Sequence, residues 1–198
     1  MSQHLRDIVF FCTGNTHRSP VAQRLLEYQL KNEGIQVDSF GLNPCRDTKS
    51  QTLEKLMRQR ESVGARGIGN LTYKPFFSLP NPKGFEELEV NGYDPLYLTF
   101  TPELVEEVRN QHGVTAYTIS EVLGEDGVDE QSRPKYDIGD PRVNGGTIFA
   151  RTKYELKKQK AEMSRLKTDA YLQGLILPLE KATPLLAQRI REGDLEFL

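Results

Sequence analysis

The segment from Cys12 to Pro20 holds the residues of this chain that are best suited to do chemistry. It reads Cys-Thr-Gly-Asn-Thr-His-Arg-Ser-Pro and follows the apolar stretch Asp-Ile-Val-Phe-Phe. Cys12 offers a nucleophilic sulfur, and Arg18 offers a planar fork of donors that can hold two phosphate oxygens. If the loop curls so that its backbone N–H groups point inward, both side chains face one anion at the N-terminus of the next helix. The segment therefore predicts a phosphate-binding loop with a nucleophile.

The other residues of this segment are predicted to shape the loop. Gly14 permits backbone angles that a side chain would forbid, and Asn15 tolerates the left-handed region and can hydrogen-bond through its amide. Ser19 either caps the helix that Pro20 opens or turns its hydroxyl toward the cysteine to stabilise a thiolate; we expect the second role. His17 either tunes the thiolate by its charge or faces solvent. The predicted phosphate-binding residues are Thr13, Gly14, Asn15, Thr16, His17, Arg18 and Ser19.

Length and composition limit the class of protein. The 198 residues, 37% hydrophobic and 27% charged, are typical of a single domain over residues 1–198. The net charge of −2 argues against a nucleic-acid partner. The lack of a long apolar run or a signal-peptide pattern predicts a cytoplasmic protein without a membrane partner. Two cysteines, Cys12 and Cys45, make neither a disulfide framework nor a zinc cluster, so no metal is expected and Cys45 is interpreted as inert.

Strand-like and helix-like segments alternate, which predicts an α/β fold: a doubly wound parallel sheet of about four strands with helices on both faces. Strands are predicted over 7–11, 35–42, 96–100 and 114–118. Helices are predicted from 21 until Gly34, over 48–63 and 103–111, briefly over 120–123, and over 185–191. In such sheets ligands bind beyond the carboxyl ends of strands where the winding reverses. The loop after the first strand suits that place.

Three further segments complete the pattern. Residues 64–92 are rich in Gly and Pro, which predicts loops and turns. An extended helical segment is predicted after residue 142, where Phe149, Leu156, Met163, Ala170 and Leu177 fall seven apart and predict one core-facing stripe. Pro178 and Pro184 are expected to break that helix. His112 is interpreted as a surface residue.

Taken together, the residues from Cys12 to Pro20 resemble the phosphate loop of the low-molecular-weight protein tyrosine phosphatases. The likeness includes the preceding strand, the Gly-Asn pair, the Arg-Ser-Pro ending and the following helix. Similarity continues in Ser39-Phe-Gly and in Tyr136-Asp-Ile-Gly-Asp140-Pro141, in the same order along the chain. The resemblance implies a cysteine-dependent phosphatase that hydrolyses phosphomonoesters of proteins, phosphotyrosine by default, through a cysteinyl-phosphate intermediate. It implies no cofactor, and a phosphorylated protein or small phosphomonoester as partner.

The resemblance also assigns the general acid. Expulsion of an alcohol or phenol from phosphorus requires a proton on the leaving oxygen. The family pattern gives this role to Asp140, followed by Pro141, so that the implied catalytic residues are Cys12, Arg18 and Asp140. Asp137 is the alternative acid if the loop has a different register, but Pro141 favours Asp140.

Three positions depart from the family pattern. His17 stands where many members have a second cysteine. Arg142 stands where tyrosine phosphatases commonly place an aromatic side chain. Thr16 stands where they often have an apolar residue, and a threonine there is similar to the bacterial protein arginine phosphatases of the same family. The chain is also longer than the compact members of the family, and the resemblance implies that the additional residues form an insertion near 64–92 and an extended segment after Pro141.

These departures leave other functions open. The first alternative is a protein arginine phosphatase. The second is a phosphate-binding regulatory module without turnover. Thiol-coupled arsenate reduction ranks last because it needs redox cysteines beyond Cys45.

Overall fold

One parallel sheet of four strands positions the rest of the molecule. The computed structural model describes residues 7–44, 53, 79–88, 95–139 and 153–193. The strands are β1 Ile8–Cys12, β2 Val37–Gly41, β3 Leu96–Thr99 and β4 Ala116–Thr118. Their order in the sheet is β2-β1-β3-β4, and every neighbouring pair is parallel. The predicted α/β fold is confirmed, and each strand lies at or within two residues of its predicted bounds.

Helices connect and cover these strands. They are α1 Arg18–Leu30, α2 Pro102–His112, α3 Ile119–Leu123, α4 Lys153–Tyr171 and α5 Leu177–Glu192. Short 3₁₀ turns lie at Phe85–Glu87 and Gly124–Gly127, and a π-helical turn at Leu172–Ile176 joins α4 to α5. The predicted helix over 48–63 lies outside the described residues, apart from the buried Leu53.

The winding of the sheet reverses at β1. The chain passes from β1 through α1 to β2 on one side, and β3 then pairs with the other side of β1. Because parallel crossovers are right-handed, crossovers that run in opposite directions along the sheet place α1 and α2 on opposite faces. Helix α5 packs on α1. The carboxyl end of β1, at Cys12, therefore lies where a ligand site is expected in this architecture.

The C-terminal helices correct one prediction. Helix α5 runs through Pro184 and contains Pro178 in its first turn, so the predicted breaks and the separate helix over 185–191 are wrong. Proline is tolerated in a first turn because that N–H has no intrahelical acceptor. Farther along, burial outweighs the lost backbone hydrogen bond. The buried apolar face of α5 consists of Leu179, Ala182, Leu186, Ala187 and Ile190.

The π-helical turn also alters the predicted apolar stripe. Ala170 and Leu177 are only half-buried, whereas Tyr171, Leu175 and Ile176 are buried. A π turn inserts a residue into the helical repeat and so rotates the faces of the helix on its two sides. A strict seven-residue spacing therefore does not follow the core here. Phe149 lies outside the described residues, and the side chains of Leu156 and Met163 are not described either.

The segment 79–88, the described part of the predicted insertion 64–92, lies against the sheet. Gly84 forms a parallel bridge with Gly41 at the end of β2. Phe85 stacks on His112, with ring centroids 4.2 Å apart. His112 is therefore half-buried against an aromatic ring and is not the surface residue that was predicted. A polar ring at a helix end is compatible with such a place because its faces are apolar.

Candidate phosphate-binding site

The predicted loop connects β1 to α1, with Cys12 as the last residue of the strand and Arg18 as the first of the helix. Backbone hydrogen bonds from Leu42 N to Cys12 O, 3.1 Å, and from Asn43 N to Thr13 O, 2.8 Å, tie its beginning to the chain after β2. The first N–H groups of a helix have no intrahelical acceptor and carry the positive end of the helix dipole. The loop thus leads into the N-terminus of α1, whose free N–H groups are suited to bind an anion.

Asn15 holds the loop in shape from inside the protein. Its φ of 51° lies in the left-handed region, as the sequence predicted for this residue type. The side chain is 0% exposed, and its amide nitrogen donates to Ser19 Oγ and to Ser39 Oγ, both at 2.9 Å. Its amide oxygen accepts from the backbone N–H of Lys83 at 2.8 Å. Three hydrogen bonds to three separate segments therefore define the curl of the loop.

Ser19 connects this network to the cysteine. Cys12 Sγ and Ser19 Oγ are 3.0 Å apart, and both residues are buried. The Ser19 oxygen accepts from Asn15, and its single hydrogen can be donated to the Cys12 sulfur at 3.0 Å or to Phe40 O at 3.4 Å, of which the sulfur is the nearer. A donor at this position stabilises negative charge on sulfur. The Ser19 hydroxyl is thus turned toward the cysteine, as we expected, and does not cap the helix. The N-cap residue of α1 is His17, whose side chain makes no capping hydrogen bond.

Arg18 is buried, at 6% exposure, and is held by neutral groups. Its guanidinium donates from Nη1 to Ile138 O and from Nη2 to Thr13 Oγ1, each at 3.3 Å, and its Cζ lies 5.9 Å from the ring centroid of Phe100. Among the described residues, none of the ion pairs includes Arg18. Within the ranges that the structure describes, its positive charge is therefore not neutralised by a carboxylate.

Gly41, at the end of β2, forms the floor beneath the loop. A Cβ on Gly41 would lie 2.9 Å from Asn15 N and 3.0 Å from Gly14 C. Both are backbone atoms, which cannot rotate away as a flexible side chain could. The loop can approach the sheet this closely only because residue 41 is glycine.

A second hydrogen-bonded chain lies on the other side of the loop. Thr16 Oγ1 is 3.0 Å from His17 Nδ1, and His17 Nε2 is 2.9 Å from the hydroxyl of Tyr171. The rings of His17 and Tyr171 stack with centroids 5.2 Å apart. Tyr171 is 3% exposed, whereas Thr16 and His17 are half-buried. His17 therefore faces the C-terminal helices, which neither of its sequence-based interpretations described.

The segment before Asp140 reaches the same site. Ile138 donates its backbone N–H to Phe100 O at 2.9 Å and, as described above, accepts from Arg18. Asp137 is largely exposed, but the protein removes part of its carboxyl from water, and this desolvation raises its pKa. Repulsion from Glu103 and Glu121 adds to that increase. Asp140 itself lies outside the described residues, as do Pro141 and Arg142.

The structure thus gathers the predicted loop residues, and it adds residues that the sequence did not single out. Lys83 contributes backbone groups, since its N–H donates to Asn15 and its carbonyl accepts from Gly41 N at 2.8 Å, and its side chain pairs with Asp38 at 3.1 Å. Tyr171 is far from the loop in sequence, and no local pattern marks it. Neither contact has a signal in one sequence, because each depends on how distant segments pack.

The described residues contain neither a cluster of metal-binding side chains nor a membrane-spanning helix. Over the ranges given above, no group of three or more His, Cys, Asp or Glu side chains is placed to hold a metal ion. No helix in these same ranges is both long and apolar enough to cross a membrane.

Comparison with known proteins gives one family. A sequence profile described as low molecular weight phosphotyrosine protein phosphatase matches residues 7–170, which is most of the chain. A comparison with curated protein sequences finds no match.

Solved structures share the fold. A low molecular weight protein tyrosine phosphatase from Bacillus subtilis is 21% identical with a TM-score of 0.58, and the alignment covers 95% of this chain and 99% of that one. A protein tyrosine phosphatase from Entamoeba histolytica is 17% identical with a TM-score of 0.57, covering 96% and 99%. The YwlE arginine phosphatase from Geobacillus stearothermophilus is 20% identical with a TM-score of 0.56, covering 96% of each chain. The TM-scores show that these proteins share the fold of this chain. Because the identities are low, the likeness shows the fold alone.

Proposed function

Because the chain belongs to the low molecular weight phosphotyrosine protein phosphatase family, and is therefore a phosphoric monoester hydrolase, we propose that it dephosphorylates proteins with Cys12 as its nucleophile. The observation that carries this proposal is the buried contact of 3.0 Å between Cys12 Sγ and Ser19 Oγ. A hydroxyl that is itself held by Asn15 is a prearranged donor for a thiolate.

The first step transfers the phosphoryl group to sulfur. The Cys12 thiolate attacks phosphorus, the S–P bond forms, and the bond from phosphorus to the leaving oxygen breaks. Arg18 holds two of the phosphoryl oxygens and keeps its charge as the group flattens in the transition state. A carboxylic acid, Asp140, protonates the leaving oxygen, so that a neutral alcohol or phenol departs.

The second step returns the enzyme to its starting state. The Asp140 carboxylate takes a proton from water as the water oxygen attacks phosphorus. The S–P bond breaks, inorganic phosphate forms, and sulfur leaves as a thiolate that accepts from Ser19. All atoms balance without a metal or redox partner, since water is the only co-reactant.

The default substrate is phosphotyrosine, and phosphoarginine is the second candidate. Thr16 favours the second, because its hydroxyl gives the loop a polar atom where an aryl ester would be better served by an apolar one. Arg142, in place of an aromatic residue after Asp140-Pro141, points the same way. A panel of matched peptides that carry phosphotyrosine, phosphoserine or phosphoarginine tests the choice by comparison of kcat/KM.

Substitution of the nucleophile tests the proposal directly. We expect Cys12→Ser to abolish hydrolysis of para-nitrophenyl phosphate while it still binds phosphate or vanadate, because the anion contacts come from Arg18 and the backbone. Thermal melting checks that the variant is folded. Turnover at the wild-type rate in Cys12→Ser would exclude a cysteinyl-phosphate route, and a folded wild type without turnover would favour the phosphate-binding module.

A pair of carboxylate variants tests the general acid. Asp140→Asn is expected to lower kcat on para-nitrophenyl phosphate by about 100-fold, within the usual range for a general acid, with little change in KM. Asp137→Asn is the matched control, three residues away in the same segment, and is expected to keep most of the activity. The reverse result would assign the acid to Asp137.

A further inference from the structure

The contact between Tyr171 and His17 joins the phosphate loop to the C-terminal helices. Tyr171 ends α4 directly before the π-helical turn Leu172–Ile176. Single π turns cost backbone hydrogen-bond geometry and often occur at functional sites. After the turn, α5 packs on α1, the helix that follows the loop. The packing that buries α5 therefore also seats the Tyr171 hydroxyl against His17.

The chemistry of imidazole makes this contact directional. A neutral ring has one donor nitrogen and one acceptor nitrogen, so the hydrogen bond at Nε2 decides which role remains for Nδ1. Nδ1 of His17 is 3.0 Å from Thr16 Oγ1. Whichever tautomer is present, the Tyr171 hydroxyl and the Thr16 hydroxyl are coupled through one ring.

The Thr16 hydroxyl lies within the loop and close to its backbone. A Cβ built on Gly14 would be 3.5 Å from Thr16 Oγ1, so this oxygen leans over the glycine. A hydroxyl can rotate and can donate or accept, so a partner is needed to give it one orientation. His17 is that partner here.

We propose that His17 and Tyr171 are positioning residues that fix the orientation of the Thr16 hydroxyl, and that this relay sets how well the site discriminates phosphoarginine from an aryl phosphate. The inference depends on the proposed phosphatase function. The guanidinium group of phosphoarginine carries N–H donors beside the phosphoryl group, whereas a phenolic ester has none. An oriented hydroxyl can pair with those donors, and a freely rotating one pairs with them less often.

The ratio of kcat/KM for a phosphoarginine peptide to that for para-nitrophenyl phosphate measures this discrimination. We expect Thr16→Val to lower the ratio by about tenfold, and His17→Ala and Tyr171→Phe by about threefold to tenfold, the range of one hydrogen bond. Tyr117→Phe is the matched control on β4, which β3 separates from β1, and should leave the ratio within about twofold of the wild type.

Combined variants separate a relay from three independent effects. In a His17→Ala background, Tyr171→Phe is expected to change the ratio no further, and in a Thr16→Val background neither substitution should change it. His17→Asn, whose amide can replace Nδ1, should keep the ratio closer to that of the wild type than His17→Gln, whose amide replaces Nε2. Additive effects would overturn the relay.

Nuclear magnetic resonance of ¹⁵N-labelled histidine gives a readout that does not need activity. At mildly alkaline pH, where a free imidazole is neutral, we expect His17 to show one dominant tautomer, and Tyr171→Phe to shift that population. The signal of His17 is assigned by its loss in His17→Asn. Tautomer populations that are averaged in the wild type and unchanged in Tyr171→Phe would overturn the proposed orientation.

Failure of the proposed phosphatase function and failure of the inferred relay give different results. A wild type that is folded but hydrolyses neither substrate contradicts the proposed function, while the resonance experiment still tests the relay. A wild type that hydrolyses para-nitrophenyl phosphate but not phosphoarginine supports the phosphatase and overturns the inferred discrimination.

Discussion

The two sides of the phosphate loop are built differently. On one side, Asn15 and Ser19 are fully buried and bonded to β2 and to the segment around Lys83. On the other side, Thr16 and His17 are half-buried and form a hydrogen-bonded chain with Tyr171. The first side joins the loop to β2 and to the segment around Lys83, and the second joins it to the C-terminal helices.

Because the two sides differ in burial, we expect the loss of a residue to have a different effect on each. Removing a member of a buried network leaves several polar groups unpaired, which costs about 1–3 kcal/mol for each. Thr16 and His17 are half-buried, so removing either side chain lets water take its place. The Asn15 side is therefore expected to define whether the loop can hold a phosphate, and the Thr16 side to define which phosphate it prefers.

Asn15→Ala should break the first side with the largest effect. It removes the acceptor of the Lys83 N–H and one hydrogen bond each from Ser19 and Ser39, and it puts alanine at a positive φ. We expect kcat/KM to fall by about 100-fold, the size associated with a misplaced catalytic group, together with a lower melting temperature. Steady-state kinetics and thermal melts measure both.

Asn110→Ala, on the exposed face of α2, is the matched control and should change neither quantity. An Asn15→Ala protein with wild-type kcat/KM would show that the loop keeps its shape without the network.

Gly41→Ala is expected to disturb the Asn15 side of the loop from the sheet beneath it. Its Cβ would collide with the backbone of Gly14 and Asn15, so the loop must move. We expect vanadate affinity and kcat/KM to fall by about tenfold to 100-fold. Gly174→Ala is the control, since a Cβ there meets nothing within 4 Å, and it should keep full affinity. Equal behaviour of the two variants would contradict the close approach.

Ser19→Ala sharpens the comparison because it removes one bond to the sulfur. A hydrogen bond to a charged group contributes about 1.5–3 kcal/mol, and the sulfur carries charge both as nucleophile and as leaving group. We expect kcat to fall by about tenfold, with a larger burst of para-nitrophenol because the second step slows most. Rapid-mixing kinetics measures the burst, and Ser164→Ala on α4 is the control. An unchanged kcat would remove Ser19 from the mechanism.

Asp137→Asn should have the smallest effect, on stability alone. Partial burial and nearby acids raise the pKa of Asp137, so its ionised form is less favourable in the folded protein than in the unfolded chain. Stability therefore decreases as pH rises through this pKa, and the variant should melt slightly higher at neutral pH.

At acidic pH we expect the difference in melting temperature between Asp137→Asn and the wild type to disappear. Below the usual pKa of an aspartate, both states of the wild type are protonated at Asp137, and the penalty disappears. Salt should reduce it as well, because the group is exposed. Melting curves at neutral and acidic pH measure the trend, with Asp169→Asn on α4 as control. A lower melting temperature for Asp137→Asn at neutral pH would contradict the sign.

Local chemistry predicted the loop well. The residue types between an apolar strand and a helix opened by Arg-Ser-Pro were enough to predict the place of the loop, the left-handed backbone of Asn15 and the contact of Ser19 with Cys12. The C-terminal helices were predicted less well, because Pro178 and Pro184 break an isolated helix but not one whose apolar face is buried on α1.

The sequence alone determined the α/β alternation, the place of the loop after β1 and the residue types at the candidate site, since these depend on periodicity and on neighbours along the chain. Only the tertiary structure decided that Lys83 closes the network on Asn15 and that Tyr171 reaches His17. The physical reason is that such contacts join segments far apart in sequence, and their formation depends on the burial of whole helices and strands rather than on any residue near the loop.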